Sequence, residues 1–448
     1  MKSIKTISSV LGAALLASCI SSCDKLDYPD RFRQSEGVPV VYSVSYSATG
    51  VYIEQAFMEE IVCILGENLR SVHNVWFNDQ EAVLNTSYMT DNTLLVQIPK
   101  TMPVVETDKI YLITAALDTV SYDFRVLPPA PRVSYMDFEY AEPGTVTTIR
   151  GNFFYEKEGG VPLTIEFPNA TVTDIKEIAL DHVTFTVPTG ALPGKVKVTT
   201  ASGTSASDFM YKDNRGMLID FDNGLYSINK GWKPKELSTV GGFSGNYVIL
   251  GNGSETLDAD GSDWKESFQW QYWAGNWADP EPFEGIDGRR LLDIVDFSDY
   301  SSMVLKFEVN ISSETPWTGT PMQIIFSSTA EVSNGATGAK DIYGNTLAGC
   351  NNHYFHDDGD FAGLSLPRYL WEPWKTSGSY DTNGEWRTIT CPISEFTKYW
   401  DGSNASGKLT PESFSNLEIF ISGGSSSCGT AGSSPIIKMD NFRAVPVR

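Results

Sequence analysis

The sequence predicts an all-β protein in which two tandem β-sandwiches are followed by a larger one. Short runs rich in Val, Ile, Thr, Phe and Tyr alternate apolar with polar residues, which is the period of a half-buried strand. The first half of the chain contains an internal repeat, and no amphipathic helical stretch interrupts the strands. The length of 448 residues exceeds what one small core supports, so we expect several domains.

Residues 1–22 have the pattern of an export signal, which is excluded from the fold. A basic start precedes an apolar segment at 10–17 that is too short to span a membrane. Small residues then lead twice to a cysteine, first to Cys19 and then to Cys23. Residues 23–36 are polar and lack a period, so we expect a tether there.

The internal repeat defines two domains, residues 37–127 and 128–213. IVCILGENL in the first copy corresponds to TVTTIRGNFF in the second, and three further segments match at nearly the same offset. Such an offset is the signature of tandem domains. Each copy has the strand and turn pattern of an antiparallel sandwich of roughly 90 residues. The proline-rich stretch 127–131 joins the copies and favours an extended spacer.

The third region, residues 214–448, is also predicted to be a β-sandwich. Its strand-like segments include VLKFEVNI, MQIIFSS, EWRTITCPISEF and LEIFIS. The region is large for one sandwich, so its loops must be long, and long loops on a rigid scaffold are where binding sites usually lie.

The charge of the chain restricts its partners. The sequence has 33 basic and 56 acidic residues, for a formal net charge of −23. This charge repels nucleic acid and anionic lipid, and it disfavours highly sulfated or uronic polysaccharides. A neutral ligand is therefore expected, with no cofactor.

Tryptophan is concentrated in the third region, which holds ten of the eleven in the chain. Many of them are flanked by Gly, Asn, Asp or Pro, which predicts rings carried on loops. Such rings form a flat apolar platform for the C–H face of a sugar. The expected ligand contacts are Trp273, Trp277, Trp317, Tyr369, Trp371 and Trp374. The pattern leaves open whether three further tryptophans are core or ligand contacts: Trp264, Trp270 and Trp400. Trp386 is expected in the core because it alternates with Thr388 and Thr390 in a strand.

Several segments resemble known families. The apolar-Gly-x-Asn segments, the Phe-Asn strand and the Ile-Pro or Val-Pro turns of residues 37–213 resemble the IPT/TIG immunoglobulin-like (Ig-like) domain. WRTITCPISEF and the strand MDNFRA resemble the jelly-roll sandwich of carbohydrate-binding modules. Cys23, followed by Asp-Lys-Leu-Asp, resembles the lipobox and surface-export signal of Bacteroidetes lipoproteins, in which the cysteine is lipid-modified. Cys19 is the alternative lipidation site.

Together these parts resemble the surface glycan-binding lipoproteins of Bacteroidetes polysaccharide-utilisation loci. The resemblance implies an outer-membrane protein, held by its lipid and facing the exterior, that binds a neutral polysaccharide without cleaving it. It also implies a SusC/SusD-like importer and surface glycosidases as partners. Flat tryptophan platforms favour a β-glucan, whether xyloglucan, mixed-linkage or β-1,3-glucan, while mannan and levan stay open.

Catalysis is the main alternative. Glycoside hydrolysis needs two positioned carboxylates, and the strand motifs E-x-D-x-x-E and E-x-D-x-E are absent. Glu281, Glu284 and Asp287 lie in a proline-broken loop, and no G-x-S-x-G occurs. A surface glycoside hydrolase with Ig-like spacers and a protein-binding adhesin therefore rank below a binding module.

Metal and disulfide chemistry is weakly indicated. The resemblance to carbohydrate-binding jelly rolls suggests a structural calcium at Asp220, Asp222 and Asp440. No C-x-x-C spacing predicts zinc. Cys63 is expected to be a buried thiol. One disulfide is possible in the third region, with its pairing open among Cys350, Cys391 and Cys428.

Overall fold

The chain forms two compact units, residues 1–129 and 130–448. The computed structural model describes residues 37–156, 161–223, 235–258, 264–274, 289–332, 346, 363–423 and 432–447. The described part is nearly all β, as the sequence predicts. Within it, no helix is long and apolar enough to cross a membrane.

The first unit is an Ig-like sandwich of two four-stranded sheets with a parallel strand pair beside them. Its strands are β1 (Val40–Tyr46), β2 (Tyr52–Ile53), β3 (Gln55–Phe57), β4 (Ile61–Glu67), β5 (Val72–Phe77), β6 (Gln80–Ala82), β7 (Thr93–Gln97), β8 (Lys109–Thr114), β9 (Thr119–Asp123) and β10 (Arg125–Leu127). The sheet orders are β2-β1-β4-β7 and β6-β5-β8-β9, and β10 pairs with β3. Alternate residues of the central strands fill the core between the sheets.

The second unit begins with a second Ig-like sandwich. Its strands are β11 (Arg132–Met136), β12 (Val146–Asn152), β13 (Thr164–Phe167), β14 (Ala170–Thr171), β15 (Ile175–Ala179), β16 (His182–Thr186), β17 (Lys197–Thr200) and β18 (Gly203–Ala206). They form sheets of order β11-β12-β16-β15 and β14-β13-β17-β18.

The repeated glycine has a steric cause in both copies. A Cβ at Gly66 would lie 1.9 Å from the carbonyl oxygen of Val40, and one at Gly151 would lie 1.7 Å from that of Arg132. In each domain the neighbouring first strand is irregular next to this close approach. Only glycine lets the two backbones come so near.

A larger sandwich completes the second unit. Its strands are β19 (Met217–Ile219), β20 (Val248–Leu250), β21 (Gln269–Tyr272), β22 (Met303–Ile311), β23 (Met322–Ser327), β24 (Tyr369–Trp371), β25 (Arg387–Pro392), β26 (Asn416–Ile421) and β27 (Ile437–Pro446). Sheet I has the order β19-β27-β22-β25, with β20 also on β27, and sheet II has the order β21-β26-β23-β24. The main core lies between the sheets.

Helical structure is limited to short segments. The one α-helix of the described residues, α1, spans Thr329–Val332. Short 3-10 turns span Leu69–Ser71, Thr86–Tyr88, Glu266–Phe268, Leu291–Asp293, Tyr300–Ser302, Ile393–Glu395 and Pro411–Ser413.

The second Ig-like domain packs on the outer face of sheet I through four buried charges. Glu139 accepts hydrogen bonds from Lys306 of β22 and, at 2.9 Å, from Arg443 of β27. Arg443 also donates to both carboxylate oxygens of Glu308, at 2.8 and 2.9 Å. None of the four side chains is more than 9% exposed. Burial raises the pKa of Glu308, and the Arg443 charge opposes that rise.

An aromatic cluster closes the same junction. The ring of Phe243 lies 5.1 Å from that of Phe138 and 4.9 Å from that of Trp386. Trp386 is buried, which confirms its predicted core position. Together, paired charges and packed rings hold the two domains in contact at this junction.

Cys391 is a free thiol on β25, so the disulfide option at this residue is excluded. Its side chain is buried in the core, and burial raises its pKa. Cys63 is also free and is half-buried rather than buried. Cys350 and Cys428 lie outside the described residues, as do Cys19 and Cys23.

Candidate functional site

Three of the predicted platform tryptophans lie in the core instead of on the surface. Trp317, Trp371 and Trp374 are between 0% and 9% exposed and belong to the cluster between the two sheets. The rings of Trp317 and Trp371 meet edge to face at 5.4 Å. The prediction was wrong here because flanking Gly and Pro mark where the chain turns, and not which way a ring points.

The other predicted contacts have mixed outcomes. Tyr369 is half-buried, with its ring 5.6 Å from that of Phe396, and burial raises its pKa. Trp273 is 3% exposed and lies in a small cluster on the other side of sheet II. Trp277 lies outside the described residues. Trp270, which the sequence left open, is fully buried against Phe221 and Phe442.

The outer face of sheet II combines polar and aromatic side chains. Cross-strand register aligns Gln269 with Phe420 and Gln323, and Gln271 with Glu418. Asn416 and Ser327 form the next row, in which Asn416 Nδ2 donates to Ser327 Oγ at 3.0 Å. Each of these side chains is at most 2% exposed, so the polar rows lie beneath the surface of the domain.

Glu418 has an unusual environment on this face. Its side chain is fully buried, and burial raises its pKa well above the usual value. Oε1 accepts a hydrogen bond from Ser327 at 2.6 Å. Its Oε2, like Oε1 of Gln269, has no hydrogen-bond partner among the described residues. Unsatisfied buried polar atoms are rare in folded proteins and often mark functional positions.

Two exposed tryptophans lie at one end of this face. Trp264 is 39% exposed and its ring lies 4.8 Å from that of Phe420. Trp400 is 43% exposed, and its carbonyl oxygen lies 2.6 Å from the point where a Cβ at Gly423 would stand. Gln323 Nε2 lies 2.7 Å from the same point, and Gln323 pairs with Phe420. The Trp264 ring therefore contacts the row that contains Phe420, and the backbone of Trp400 lies near the Gln323 end of that row.

Arg368 fixes the turn that carries Trp400. Its backbone pairs with Lys398 through two hydrogen bonds of 2.8 and 3.0 Å. Its guanidinium lies 5.0 Å from the ring centroid of Tyr399 and also donates to Gln323 Oε1. Burial lowers the pKa of Arg368 to about 10. These contacts hold Tyr399 and Trp400 against the edge of sheet II.

The three aspartates suggested for calcium are engaged in hydrogen bonds to the protein. Asp220 Oδ1 accepts from two backbone N–H groups, and Asp222 Oδ1 accepts from the backbone and side chain of Asn246. Asp440 Oδ1 accepts from the Asn441 N–H at 2.8 Å. In the described residues, no group of three or more His, Cys, Asp or Glu side chains is placed to hold a metal. A calcium ion here stays a prediction.

The sequence left open whether Trp264 and Trp400 are core residues or ligand contacts. The signal that favours Trp400 is local: it precedes Asp-Gly-Ser-Asn, which is a strong turn sequence. In the structure the Trp400 side chain beside this turn is 43% exposed. Trp264 has a comparable signal, because Asp-Gly-Ser-Asp directly precedes it.

A rigid sandwich with exposed indole rings beside a polar sheet face is the design of a non-catalytic carbohydrate-binding domain. The comparisons with known proteins agree with this class. A family model described as the surface glycan-binding protein B xyloglucan binding domain matches residues 211–446, and a TIG domain model matches residues 38–121. The chain belongs to the surface glycan-binding protein B family, whose members are displayed at the cell surface and bind glycans without catalysis.

Individual relatives agree. The surface glycan-binding protein B from Prevotella bryantii, whose crystal structure is known, is 38% identical in sequence to this chain. The match covers 92% of this chain and 100% of that one, with a TM-score of 0.72. An IPT/TIG domain-containing protein of Bacteroides ovatus is 26% identical over 33% of this chain and 34% of its own length. The chain thus matches about a third of that curated relative. A surface glycan-binding protein B from Bacteroides uniformis is 17% identical with 92% and 100% coverage, and its TM-score of 0.36 supports no structural conclusion.

Proposed function

We propose that the end of sheet II marked by Trp264 and Trp400 captures a neutral β-glucan, with xyloglucan as the first candidate. The observation that carries this proposal is the pair of exposed indoles beside a polar sheet face. The matched family model, named for xyloglucan binding, supports the choice of glycan. Mixed-linkage and β-1,3-glucan are the other candidates.

The expected affinity is modest. Covering one indole face with a sugar removes about 100 Å² of apolar surface, worth about 2–3 kcal/mol before ordering costs. Two indoles then give binding in the range of about micromolar to millimolar. Several copies side by side on a cell surface strengthen capture through avidity.

We also propose lipid attachment at Cys23, with Cys19 as the alternative, and insertion of that lipid in the outer membrane. The expected partners are a SusC/SusD-like importer and surface glycosidases. Mass spectrometry of the N-terminal peptide from Cys23→Ala and Cys19→Ala cells tests the anchor. Loss of the lipid only in the Cys19 variant would reverse the assignment.

Affinity electrophoresis tests the glycan site. The full chain is run through gels that contain xyloglucan, mixed-linkage glucan, β-1,3-glucan or mannan, with Trp264→Ala and Trp400→Ala alongside. Tyr88→Ala is the control, because Tyr88 is an exposed aromatic residue in the first domain. We expect retardation by xyloglucan that is weakened about tenfold or more in each Trp variant and unchanged in the control. Undiminished retardation of both Trp variants would contradict this site.

A further inference from the structure

A small cleft lies in the second unit where the second Ig-like domain meets the large sandwich. Its volume is about 280 Å³. Tyr135, Asp137 and Arg150 form the wall from the Ig-like domain, and the segments 380–383 and 387–389 form the opposite wall. Ligand pockets usually measure about 300–1,000 Å³, so this cleft suits one or two sugar rings.

One carboxylate joins the two walls. Asp137 accepts two hydrogen bonds from Arg150, at 2.7 and 3.1 Å, and one from Arg387 across the cleft at 3.3 Å. Asp381 lies on the far wall and accepts from the backbone of Asn383. Two guanidiniums and two carboxylates give these groups no net charge, which favours a neutral ligand.

Several donors and acceptors of the cleft remain available. Within the described residues, Arg150 uses Nε and Nη2 on Asp137 and makes no hydrogen bond through Nη1, and Arg387 makes none through Nε and Nη2. The hydroxyl of Tyr380 and the side-chain amide of Asn383 also have no hydrogen bond from the described chain. Fixed planar donors beside tyrosine rings match the vicinal hydroxyls and C–H faces of a sugar.

The walls are held at a fixed spacing. The Thr388 N–H donates to the carbonyl of Asp137 at 2.9 Å, and the Glu139 N–H donates to Thr388 Oγ1 at 2.9 Å. The buried cluster of Glu139, Lys306, Glu308 and Arg443 lies directly behind these bonds. A cleft whose walls do not move requires little ordering when a ligand binds.

From this geometry we infer that the junction cleft is a second glycan subsite, which takes one or two neutral sugar residues of the polysaccharide. This inference rests on the proposed function, since the ligand class is the same. It assigns a binding role to the Ig-like domain itself, through Tyr135. Tyr135 is 52% exposed and is placed to stack on a sugar face.

Calorimetric titration of xyloglucan and of its oligosaccharides tests the subsite. The full chain carries Cys19→Ala and Cys23→Ala so that it is purified without lipid. Tyr135→Ala removes a ring, and Tyr380→Phe removes only a hydroxyl. Tyr52→Ala, at an exposed tyrosine of the first domain, is the matched control. We expect each cleft variant to weaken polysaccharide binding about three- to tenfold and the control to leave it unchanged.

The same variants in a Trp264→Ala/Trp400→Ala background separate the two sites. We expect weak residual binding there, which Tyr135→Ala removes. Full affinity of both cleft variants in the native background would overturn the subsite and leave the platform standing. Full affinity of the double Trp variant, with loss in Tyr135→Ala, would instead overturn the platform and keep the subsite.

Discussion

The two outer faces of the large sandwich bury polar side chains in opposite ways. On sheet I, Glu308 meets Arg443 and Thr388, and a neighbouring domain covers the pair. On sheet II, Glu418 has one hydroxyl partner, and its second oxygen has none. Both glutamates lie on interior strands and are fully buried. On the first face the carboxylate pairs with a cation, although Arg443 Nε has no hydrogen-bond partner among the described residues. On the second face, Glu418 Oε2 and Gln269 Oε1 have no partner among those residues.

The two faces therefore differ in what their buried carboxylates contact, which is a guanidinium on sheet I and a hydroxyl on sheet II. A buried charge that is fully paired resists any change, because removal of one partner exposes the other to a medium that cannot solvate it. A polar group left unpaired lowers stability, and such groups persist where function needs them. The exposed indoles lie at the rim of the second face, which is consistent with this division.

The largest expected effect is at Arg443. Arg443→Ala leaves Glu139 and Glu308 buried without their shared cation, and it should cost about 3–5 kcal/mol of unfolding free energy. Chemical denaturation of the second unit's transition measures this loss. Arg215→Ala is the control, since Arg215 pairs with Asp213 at a more exposed site. Equal losses of unfolding free energy in Arg443→Ala and Arg215→Ala would show that the buried charge cluster contributes no more than an exposed ion pair.

Two tryptophans allow the stability contribution of a buried ring to be compared with that of an exposed ring. Trp371→Ala should lose about 3–5 kcal/mol, because a buried ring leaves a cavity. Trp400→Ala should change stability by about 0.5 kcal/mol or less, because its ring is exposed. Denaturant midpoints compare them directly. A stable Trp371 variant with impaired glycan binding would restore the platform first predicted from sequence.

The two buried glutamates form a matched pair. Glu308→Gln should cost about 2–3 kcal/mol at pH 7, because Arg443 loses a charged partner. Glu418→Gln should cost about 1 kcal/mol or less, because a group with a raised pKa is already protonated over much of the acid range. Thermal melts at pH 5 and pH 8 measure both. A larger loss in Glu418→Gln than in Glu308→Gln would reverse the comparison.

Asp440 gives an effect that depends on pH. Burial, helped by the charges of Glu308 and Asp222, raises the pKa of Asp440 to about 8. The folded state holds this proton more tightly than the unfolded state, so the group lowers stability as pH rises from about 4 to 8. Asp440→Asn should therefore raise the melting temperature by a few degrees at pH 9 and by little at pH 4.

Melting curves across that pH range, with and without a calcium chelator, check the sign. A calcium ion bound at Asp440 would remove the benefit of the substitution and make wild-type stability sensitive to the chelator. An unchanged melting temperature at pH 9 without calcium would contradict the expected cost of ionising this carboxyl group.

Local sequence predicted the strands and the repeat well. VLKFEVNI, at 304–311, falls within β22, and the matched glycines Gly66 and Gly151 occupy the same tight crossing in both Ig-like domains. These features depend on period and on backbone sterics, which short windows of sequence record.

The site was harder to predict because it depends on long-range contacts. Glu139 and Arg443 are 304 residues apart, and nothing near either residue indicates the pairing. The short stretch of sequence around a tryptophan likewise does not show whether its ring faces between two sheets or away from them. The rings of Trp371 and Trp400 differ in this way although polar and turn-forming residues flank both.

The position of β27 has a consequence for how this domain is made. This late strand lies between β19 and β22 in sheet I, and Met217 at the start of the domain pairs with Arg443. Neither the core nor the charged junction can close until that segment has been synthesised. Contacts between such distant residues fold slowly. The newly made chain must therefore remain soluble and protected from proteases during that interval.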